Sequence, residues 1–207
     1  MQGKELLEHC KRLKTIADTG ILYSTNEYDQ ERYTELRAMS LELLSMIGGH
    51  RVEELNAAFL LVTDHPTAKV DVRGVVLSDD KRILLVRESI DGRWSLPGGW
   101  AEIGHSPMET VINECKEETG LDVQVEKLLA VFDKRKHPHT PQATYVYKMV
   151  FYCTATSHEI QKGFDVLDVQ YFPIDNLPAL SQNRILESQI KMVYEKIIKQ
   201  AWEAYFD

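Results

Sequence analysis

Three glutamates, Glu114, Glu117 and Glu118, lie at the spacing i, i+3 and i+4 in the stretch NECKEETGL. In an α-helix with 3.6 residues per turn, this spacing places the three carboxylates beside one another. Like charges at such spacing repel and destabilise the helix unless a cation neutralises them. Mg²⁺ and similar hard cations take carboxylate oxygens together with water and substrate phosphates. The spacing therefore predicts a divalent-cation site, and the alternative is a solvated acidic face.

The helix that carries these glutamates has end signals in the sequence. Ser106 is a typical N-cap, Pro107 fits the first helical position, and Glu109 completes a capping box. Gly120 supplies the left-handed residue that ends the helix. Apolar side chains recur between the ends at three- and four-residue spacing: Met108, Val111, Ile112, Cys115 and Thr119. This stripe predicts a face that packs on a core.

A loop with the sequence LPGG, residues 96–99, leads into the acidic helix. Glycines lack a Cβ, so the backbone carbonyls of such a loop can approach a ligand or a metal closely. The loop favours the cation site over the solvated face.

The stretch from loop to helix resembles the Nudix box, the strand-loop-helix motif of the Nudix hydrolases. Seven residues fall on the motif in register: Gly99, Glu114, Cys115, Glu117, Glu118, Gly120 and Leu121. The resemblance implies Mg²⁺ or Mn²⁺ as cofactor, held by the Gly98 carbonyl and the three glutamates. It also implies that Glu114 and Glu118 are catalytic, with Glu114 as the first candidate for the general base.

Two motif positions differ in this chain, because His105 replaces a glutamate and Asn113 replaces an arginine. In the family those two side chains form an ion pair that braces the loop against the helix. Both charges are lost together, so we expect a replacement brace, such as a hydrogen bond from His105 to Asn113. Because the brace orients Glu114, the base could have moved to another acid, and the candidates are Glu102, Asp165 and Asp168.

Several other side chains are candidates to contact a nucleotide. Arg73 and Arg87 could hold a diphosphate through the forked guanidinium, or form ion pairs at strand ends. Lys134 begins a basic run that suits either phosphate binding or a solvated loop. Trp94 and Trp100 could stack on a base, although aromatic residues in strands are usually core.

Hydrophobic periodicity changes from helical to alternating near residue 69. It predicts a hairpin over 70–86, strands over 123–125, 128–132, 144–154 and 169–172, and a last helix over 181–205. Strands on either side of the acidic helix, with another helix behind, predict an α/β fold. That layer plan agrees with the α/β/α sandwich that the resemblance implies for residues 66–207.

Residues 1–62 predict a small all-helical domain. Helices are expected over 4–18, ended by Gly20, over 28–47, ended by Gly48 and Gly49, and over 52–61. Similar extensions occur in a bacterial Nudix branch that acts on ADP-ribose, CDP-choline or related compounds, and there they contribute to a homodimer. The resemblance, which includes KVDVRG at residues 69–74, implies a homodimer. A contribution to the substrate pocket and a platform for another partner remain alternatives.

Composition excludes several classes of protein. A net charge of -8 argues against non-specific nucleic-acid binding, which usually requires a basic patch. The three cysteines are scattered and form no CxxC pair, so a disulfide framework and a zinc site are not expected. No apolar run fits a signal peptide or a membrane helix, and we therefore expect a cytoplasmic protein without a membrane partner.

Together these features predict a Nudix pyrophosphohydrolase that cleaves a nucleoside diphosphate linked to another moiety. ADP-ribose, giving AMP and ribose 5-phosphate, is the leading substrate, and CDP-choline is the second. A non-catalytic Nudix module that senses a nucleotide is the alternative. The three mutually repelling glutamates favour the enzyme, since a site that has lost its chemistry has no need of them.

Overall fold

The computed structural model describes residues 2–48, 51–59, 63, 65–140 and 142–207, and the chain divides into two compact units. The helical unit comprises residues 1–68 and 141–145, and the catalytic unit comprises residues 69–140 and 146–207. The predicted limits at Gly49, Leu61 and residue 62 lie outside the described residues.

The helical unit contains α1 (Gln2–Tyr23), α2 (Glu27–Gly48) and α3 (Val52–Ala58). Its small core is formed by Leu7, Cys10, Leu41, Leu44 and Leu55. The prediction that Gly20 ends the first helix is wrong, since α1 continues through it. A Cβ at Gly20 would lie 2.4 Å from the ring of Tyr33, so this glycine allows α2 to approach α1 closely.

The catalytic unit is built on two sheets. The strands are β1 (Lys69–Val76), β2 (Ile83–Glu88), β3 (Trp94–Ser95), β4 (Val123–Asp133), β5 (Val146–Ala155), β6 (Val166–Phe172) and β7 (Tyr205–Phe206). One sheet has the order β1-β5-β4-β7 and the other the order β3-β2-β6. The strands predicted over 123–125 and 128–132 form the single strand β4, whose pairing with β5 shifts register.

The predicted hairpin does not form a paired ladder, because β1 and β2 lie in different sheets. A single bridge between Leu77 and Ile83 joins their ends. β1 instead pairs in parallel with β5, from Lys69 opposite Val146 to Val76 opposite Cys153. Alternation of apolar residues predicts a strand but does not specify its partner, which explains the error.

Two helices complete the catalytic unit, α4 (Pro107–Thr119) and α5 (Glu187–Ile198). The predicted helix over 181–205 is shorter than expected, because α5 ends before Gln200, which has φ +53°, and residues 205–206 pair with β4. The two helices contribute to separate cores, α4 through Val111 and α5 through Ile190. The predicted α/β fold preceded by helices is confirmed. No helix in the described part of the chain is both long and apolar enough to cross a membrane.

Candidate active site

The acidic helix α4 has the ends that the sequence predicts. Ser106 Oγ accepts a hydrogen bond from the Glu109 backbone N–H at 3.2 Å, and a Glu109 oxygen accepts one from the Ser106 N–H at 2.7 Å. Gly120 is left-handed, with φ +74°. Val111 and Cys115 are fully buried. Met108 is 50% exposed, so the prediction that it belongs to the packed stripe is wrong. Most of the first turn is exposed, and the packed face begins one turn later.

Strand β1 holds the glycine loop in front of α4. The N–H of Val72 donates to the Gly99 carbonyl and the N–H of Gly74 to the Pro97 carbonyl, both at 2.8 Å. Gly98 has φ +138°, and a Cβ there would lie 2.1 Å from the Val72 carbonyl oxygen. Any other residue at this position would clash with β1, so the close approach requires glycine.

The loop meets the helix at two glutamates. Glu118 Oε2 accepts a hydrogen bond from the Gly98 N–H at 2.8 Å. The Glu114 carboxylate lies against Gly99, where a Cβ would be only 2.3 Å from Oε1. Among the described residues, no donor bonds to the Gly98 carbonyl oxygen. The two carboxylates therefore contact Gly98 and Gly99, whose shared peptide carries the unbonded carbonyl.

These two carboxylates are poorly compensated. Glu118 is 4% exposed, and burial raises its pKa to about 8, although Arg73 and the Gly98 N–H oppose the shift. Glu114 is half-buried, and burial raises its pKa to about 7, again against the attraction of Arg73. Glu117, in contrast, is exposed. Both raised pKa values mean that the pocket would gain from an additional positive charge.

The donor atoms suit a hard divalent cation, since all of them are oxygens. Within the described ranges, however, no cluster of three or more His, Cys, Asp or Glu side chains has the geometry of a metal site. The three glutamates are close in sequence, but Glu118 turns to Gly98 whereas Glu117 lies in solvent. Adjacent residues of an α-helix point about 100° apart, which separates the Glu117 and Glu118 side chains.

The predicted brace between His105 and Asn113 is wrong for the described structure. His105 Nδ1 lies 3.2 Å from an oxygen of Glu102, three residues earlier. Asn113 is exposed, and within the described part of the chain no hydrogen bond joins it to His105. Both side chains therefore lie outside the contacts between loop and helix.

The two arginines of the sequence prediction have different environments. Arg73 is fully buried, with Nε and Nη2 each 2.9 Å from Asp71 oxygens and Nη1 3.0 Å from the Leu96 carbonyl oxygen. Arg87 is exposed, and its Nε donates to the Gly92 carbonyl at 2.8 Å. Of the two, only Arg87 has solvent access to a ligand.

The aromatic and basic candidates also separate. Trp94 packs edge-on against Phe172, with ring centroids 4.7 Å apart, beside the core of α5. Trp100 is 49% exposed, with Lys69 Nζ 5.3 Å from its ring centroid. Lys134 is partly buried in a 3-10 helix, Lys134–Lys136, directly after β4. Trp100 is therefore the tryptophan with a face open to a ligand.

The alternative base candidates lie at different places. Glu102 is exposed and pairs with His105, and Asp168 accepts hydrogen bonds from the Val169 N–H and Gln170 Nε2, each at 2.8 Å. Asp165 is exposed near the site, and its charge contributes to the raised pKa of Glu114.

The segment that carries Asp165 is anchored on α4. The Gly163 N–H donates to the Glu118 carbonyl at 3.0 Å. A Cβ at Gly163 would lie 2.1 Å from the Glu117 carbonyl oxygen, so this contact also requires glycine. Asp165 is thereby held beside the acidic helix.

Sequence reasoning missed a buried polar cluster behind the loop. Lys148 Nζ lies 2.6 Å from Asp71 Oδ1, and Glu88 lies between Arg184 at 3.0 Å and Arg73 at 3.8 Å. Asp71 and Lys148 are opposite one another on β1 and β5. The available signal was charge inside two largely apolar strands, at Asp71 and Arg73 in β1 and at Lys148 in β5.

Comparison with known proteins decides the family. The sequence profile of the NUDIX domain matches residues 68–193. The chain belongs to the Nudix family. A second profile, described as a UDP-X-like N-terminal oligomerisation domain, matches residues 4–59 of this Nudix hydrolase.

Relatives of this Nudix protein carry two kinds of name. A Bacillus subtilis (strain 168) protein named "Putative ADP-ribose pyrophosphatase YjhB" is 39% identical over 201 residues, covering 97% of this chain and 96% of its own. The ADP-ribose pyrophosphatase of Methanocaldococcus jannaschii is 34% identical over 65% of this chain and 72% of its own. A crystal structure of a UDP-X diphosphatase is 33% identical with TM-score 0.63, covering 100% of both chains. The chain is therefore a Nudix pyrophosphohydrolase, similar to ADP-ribose pyrophosphatases.

Proposed function

We propose that this Nudix hydrolase cleaves the diphosphate of ADP-ribose and releases AMP and ribose 5-phosphate. The observation that carries the proposal is the junction of loop and helix, where the Gly98 N–H donates to Glu118 and the Glu114 carboxylate lies against Gly99. The substrate is proposed from the names of the two ADP-ribose pyrophosphatase relatives.

Four residues would hold Mg²⁺ or Mn²⁺: the Gly98 carbonyl, Glu114, Glu117 and Glu118. The two buried carboxylates with raised pKa values and the unbonded carbonyl support this set. When bound, the cation offsets the charge of the diphosphate and lowers the pKa of water. Glu118 and the loop would hold the cation, and the exposed Glu117 would have to turn inward to contribute.

Glu114 is the proposed general base. Its half-buried carboxylate lies against Gly99 of the loop, beside the proposed cation site, where it would accept a proton from the attacking water. Asp165 is the second candidate, because it is held beside α4 and its charge acts on Glu114. If Glu114→Gln kept near-normal turnover while Glu118→Gln was inactive, the base would have to be reassigned to Asp165 and the cation site would stand.

Substrate contacts are proposed for the accessible candidates. Trp100, with Lys69 over its ring, offers an exposed face for stacking on adenine, and Arg87 and Lys134 offer charge to phosphates. Trp94 packs beside the core, so a stacking role would require it to leave Phe172. Arg73 is fully enclosed by protein groups, and we assign it no direct contact with substrate.

A UDP-linked substrate is the second candidate. The UDP-X diphosphatase structure covers the whole chain, and the N-terminal profile is also UDP-X-like. CDP-choline hydrolysis and nucleotide sensing without catalysis are further outcomes that the test distinguishes.

We also propose that the protein is a cytoplasmic homodimer formed through the helical unit. The N-terminal profile is that of an oligomerisation domain. Apolar side chains on α2 lie exposed at three- and four-residue spacing: Met39 53%, Leu43 37% and Met46 79%. Such a stripe is typical of a surface that a partner covers. The three free, buried cysteines are compatible with a reducing compartment.

A substrate panel tests the function. ADP-ribose, CDP-choline, a UDP-sugar, NADH and a nucleoside triphosphate are incubated with protein and Mg²⁺, and released monophosphate is followed by chromatography. We expect AMP from ADP-ribose, lost in Glu118→Gln but kept in Glu195→Gln, a control at an exposed helical glutamate. Release from the UDP-sugar alone would replace ADP-ribose by the second candidate. A flat panel in which a nucleotide still raises the melting temperature would support sensing.

A further inference from the structure

Arg73 is the most completely buried charged side chain beside the proposed site, with 0% exposure. Burial opposes its charge, but Asp71, Glu118 and Glu88 together outweigh this and hold the pKa of Arg73 above its usual range. A buried cation is costly unless every donor is used. Arg73 uses one side of its fork for Asp71 and aims Nη1 at the glycine loop.

Asp71 sets the orientation of that fork. Its two oxygens accept from Nε and Nη2 of Arg73 at 2.9 Å, and Oδ1 also accepts from Lys148 at 2.6 Å. Burial works against the charge of Asp71, but Arg73 and Lys148 together hold its pKa well below the usual range. Lys148 approaches across the parallel pairing of β1 and β5. The guanidinium therefore has one fixed direction.

The fixed direction of the Arg73 guanidinium affects the carbonyls of the glycine loop. β1 provides donors for three carbonyls on either side of Gly98: the Arg73 guanidinium for Leu96, the Gly74 N–H for Pro97, and the Val72 N–H for Gly99. Among the carbonyls of residues 96–99, that of Gly98 is the one that accepts no hydrogen bond from the described part of the chain. Two of the three donors are backbone groups, and the remaining one is Arg73.

Arg73 also acts on the helix side of the junction. Its positive charge is the strongest attraction that opposes the raised pKa of both Glu118 and Glu114. Since His105 and Asn113 do not join loop and helix, Arg73 is the side chain that contacts the loop and attracts both carboxylates.

We propose that Arg73, fixed by Asp71 and Lys148, is a positioning residue that holds the glycine loop so that the Gly98 carbonyl faces the carboxylates of Glu114 and Glu118. This inference rests on the proposed cation site, but it does not depend on which nucleotide is hydrolysed. It predicts that Arg73 governs cation affinity without touching the substrate.

Binding of Mn²⁺ to the intact, nucleotide-free protein tests the inference, with free Mn²⁺ measured by electron paramagnetic resonance. Arg73→Lys keeps the charge but loses the fork, and Asp71→Asn keeps the shape but weakens the hold on it. We expect the Kd for Mn²⁺ to rise about tenfold or more in Arg73→Lys and by a smaller factor in Asp71→Asn. The KM for the nucleotide at saturating Mn²⁺ should change by less than about twofold.

The exposed pair Arg82 and Asp80, 2.8 Å apart, provides matched controls in Arg82→Lys and Asp80→Asn, which should bind Mn²⁺ as the unchanged protein does. A purely structural role would lower the melting temperature of Arg73→Lys and leave the Kd of the folded protein unchanged. A Kd within about twofold of the unchanged protein in both site variants would overturn the inference.

If Arg73→Lys does not fold, Asp71→Asn decides the question by the same criterion. Failure of the proposed function has a different signature. In that case the protein binds Mn²⁺ but hydrolyses no compound in the panel, and the comparison of Kd values still applies. Unchanged protein that binds no Mn²⁺ would overturn the inference directly.

Discussion

The two units of this Nudix protein depart from the usual distribution of side chains in opposite ways. The catalytic unit buries charge, with Asp71 6%, Arg73 0%, Glu118 4% and Lys148 1% exposed. The helical unit exposes apolar surface, with Met39 53% and Met46 79% exposed on α2. Charged groups are rarely buried without a partner, and exposed apolar stripes often mark an interface. This difference agrees with the two proposals, a cation bound by the catalytic unit and a second protein surface covering the helical unit.

Buried charge alone does not mark the site, because the helical unit also contains some. There Asp18 accepts from Lys14 at 2.5 Å and from Arg37 at 3.0 Å, so one carboxylate has two cations. In the catalytic unit Glu114 and Glu118 are both influenced by the single cation Arg73. The shortage of positive charge is what distinguishes a binding site from a structural ion pair.

The largest expected effect concerns the buried charge of the catalytic unit. In Glu118→Gln we expect kcat to fall by roughly 10³-fold, because a cation ligand worth several kcal/mol is lost. In metal-free protein the same change should leave the melting temperature equal or higher, since a poorly compensated buried carboxylate is removed. Steady-state kinetics and thermal unfolding measure the two quantities. A variant that lost activity and stability together would show that Glu118 is mainly structural.

The next effect concerns the exposed apolar stripe of the helical unit. Met39→Glu combined with Met46→Glu places charge on the exposed stripe of α2, and we expect the dimer to dissociate because buried charge at an interface is costly. Sedimentation velocity measures the change. Thr34→Glu, at an exposed position on another side of α2, is the control and should leave the dimer intact. A monomeric unchanged protein would contradict the proposed homodimer.

A smaller effect sharpens the distinction between the cation site and the substrate surface. In Trp100→Ala we expect KM for ADP-ribose to rise about tenfold through lost stacking, while kcat changes little. Trp202→Ala removes a tryptophan stacked on Tyr152, with ring centroids 5.8 Å apart, and should leave KM unchanged. An unchanged KM in Trp100→Ala would assign base recognition to other residues.

The smallest effect is on stability in mild acid. Burial lowers the pKa of His139 to about 4, so the folded protein keeps this imidazole neutral where an unfolded chain, with a pKa near 6.5, binds a proton. As the pH falls from about 6.5 toward 4, protonation of His139 in the unfolded chain lowers the free energy of unfolding. The loss is at most about 1.4 kcal/mol per pH unit. Denaturant unfolding at pH 7 and pH 5 should show a smaller loss in His139→Asn than in the unchanged protein. The exposed His158→Asn is the control, and equal losses in all three proteins would contradict the prediction.

Local signals in the sequence are sufficient to predict an element whose ends are set by contacts between near neighbours in the chain. The capping box of Ser106 and Glu109 and the left-handed Gly120 fixed α4 to the residue, because these contacts lie within three or four positions along the chain. The acidic spacing and the glycine loop likewise predict a cation site at the junction of loop and helix, and this stays a prediction. The Gly98 carbonyl is predicted to be a ligand. In the described structure, donors of β1 reach the carbonyls of Leu96, Pro97 and Gly99 but not that of Gly98.

Long-range partners were not predictable from the sequence. Nothing near Arg73 in the chain indicates that it bonds to the Leu96 carbonyl, or that Lys148 approaches Asp71 from another strand. The same limit produced the errors: Gly20 served close packing of helices rather than a helix end, and β1 paired with β5 rather than with β2. Spacing reports what a residue can form locally, and topology decides which distant residue it meets.

The most direct test of the account is a chelation and add-back series with ADP-ribose. The account predicts no AMP from chelator-treated protein and full recovery with Mg²⁺. In Arg73→Lys recovery should require about tenfold more Mg²⁺, and Glu118→Gln should not recover. Release of AMP and ribose 5-phosphate by chelated protein, or normal recovery in Glu118→Gln, would contradict the claim that loop and helix together form the cation site.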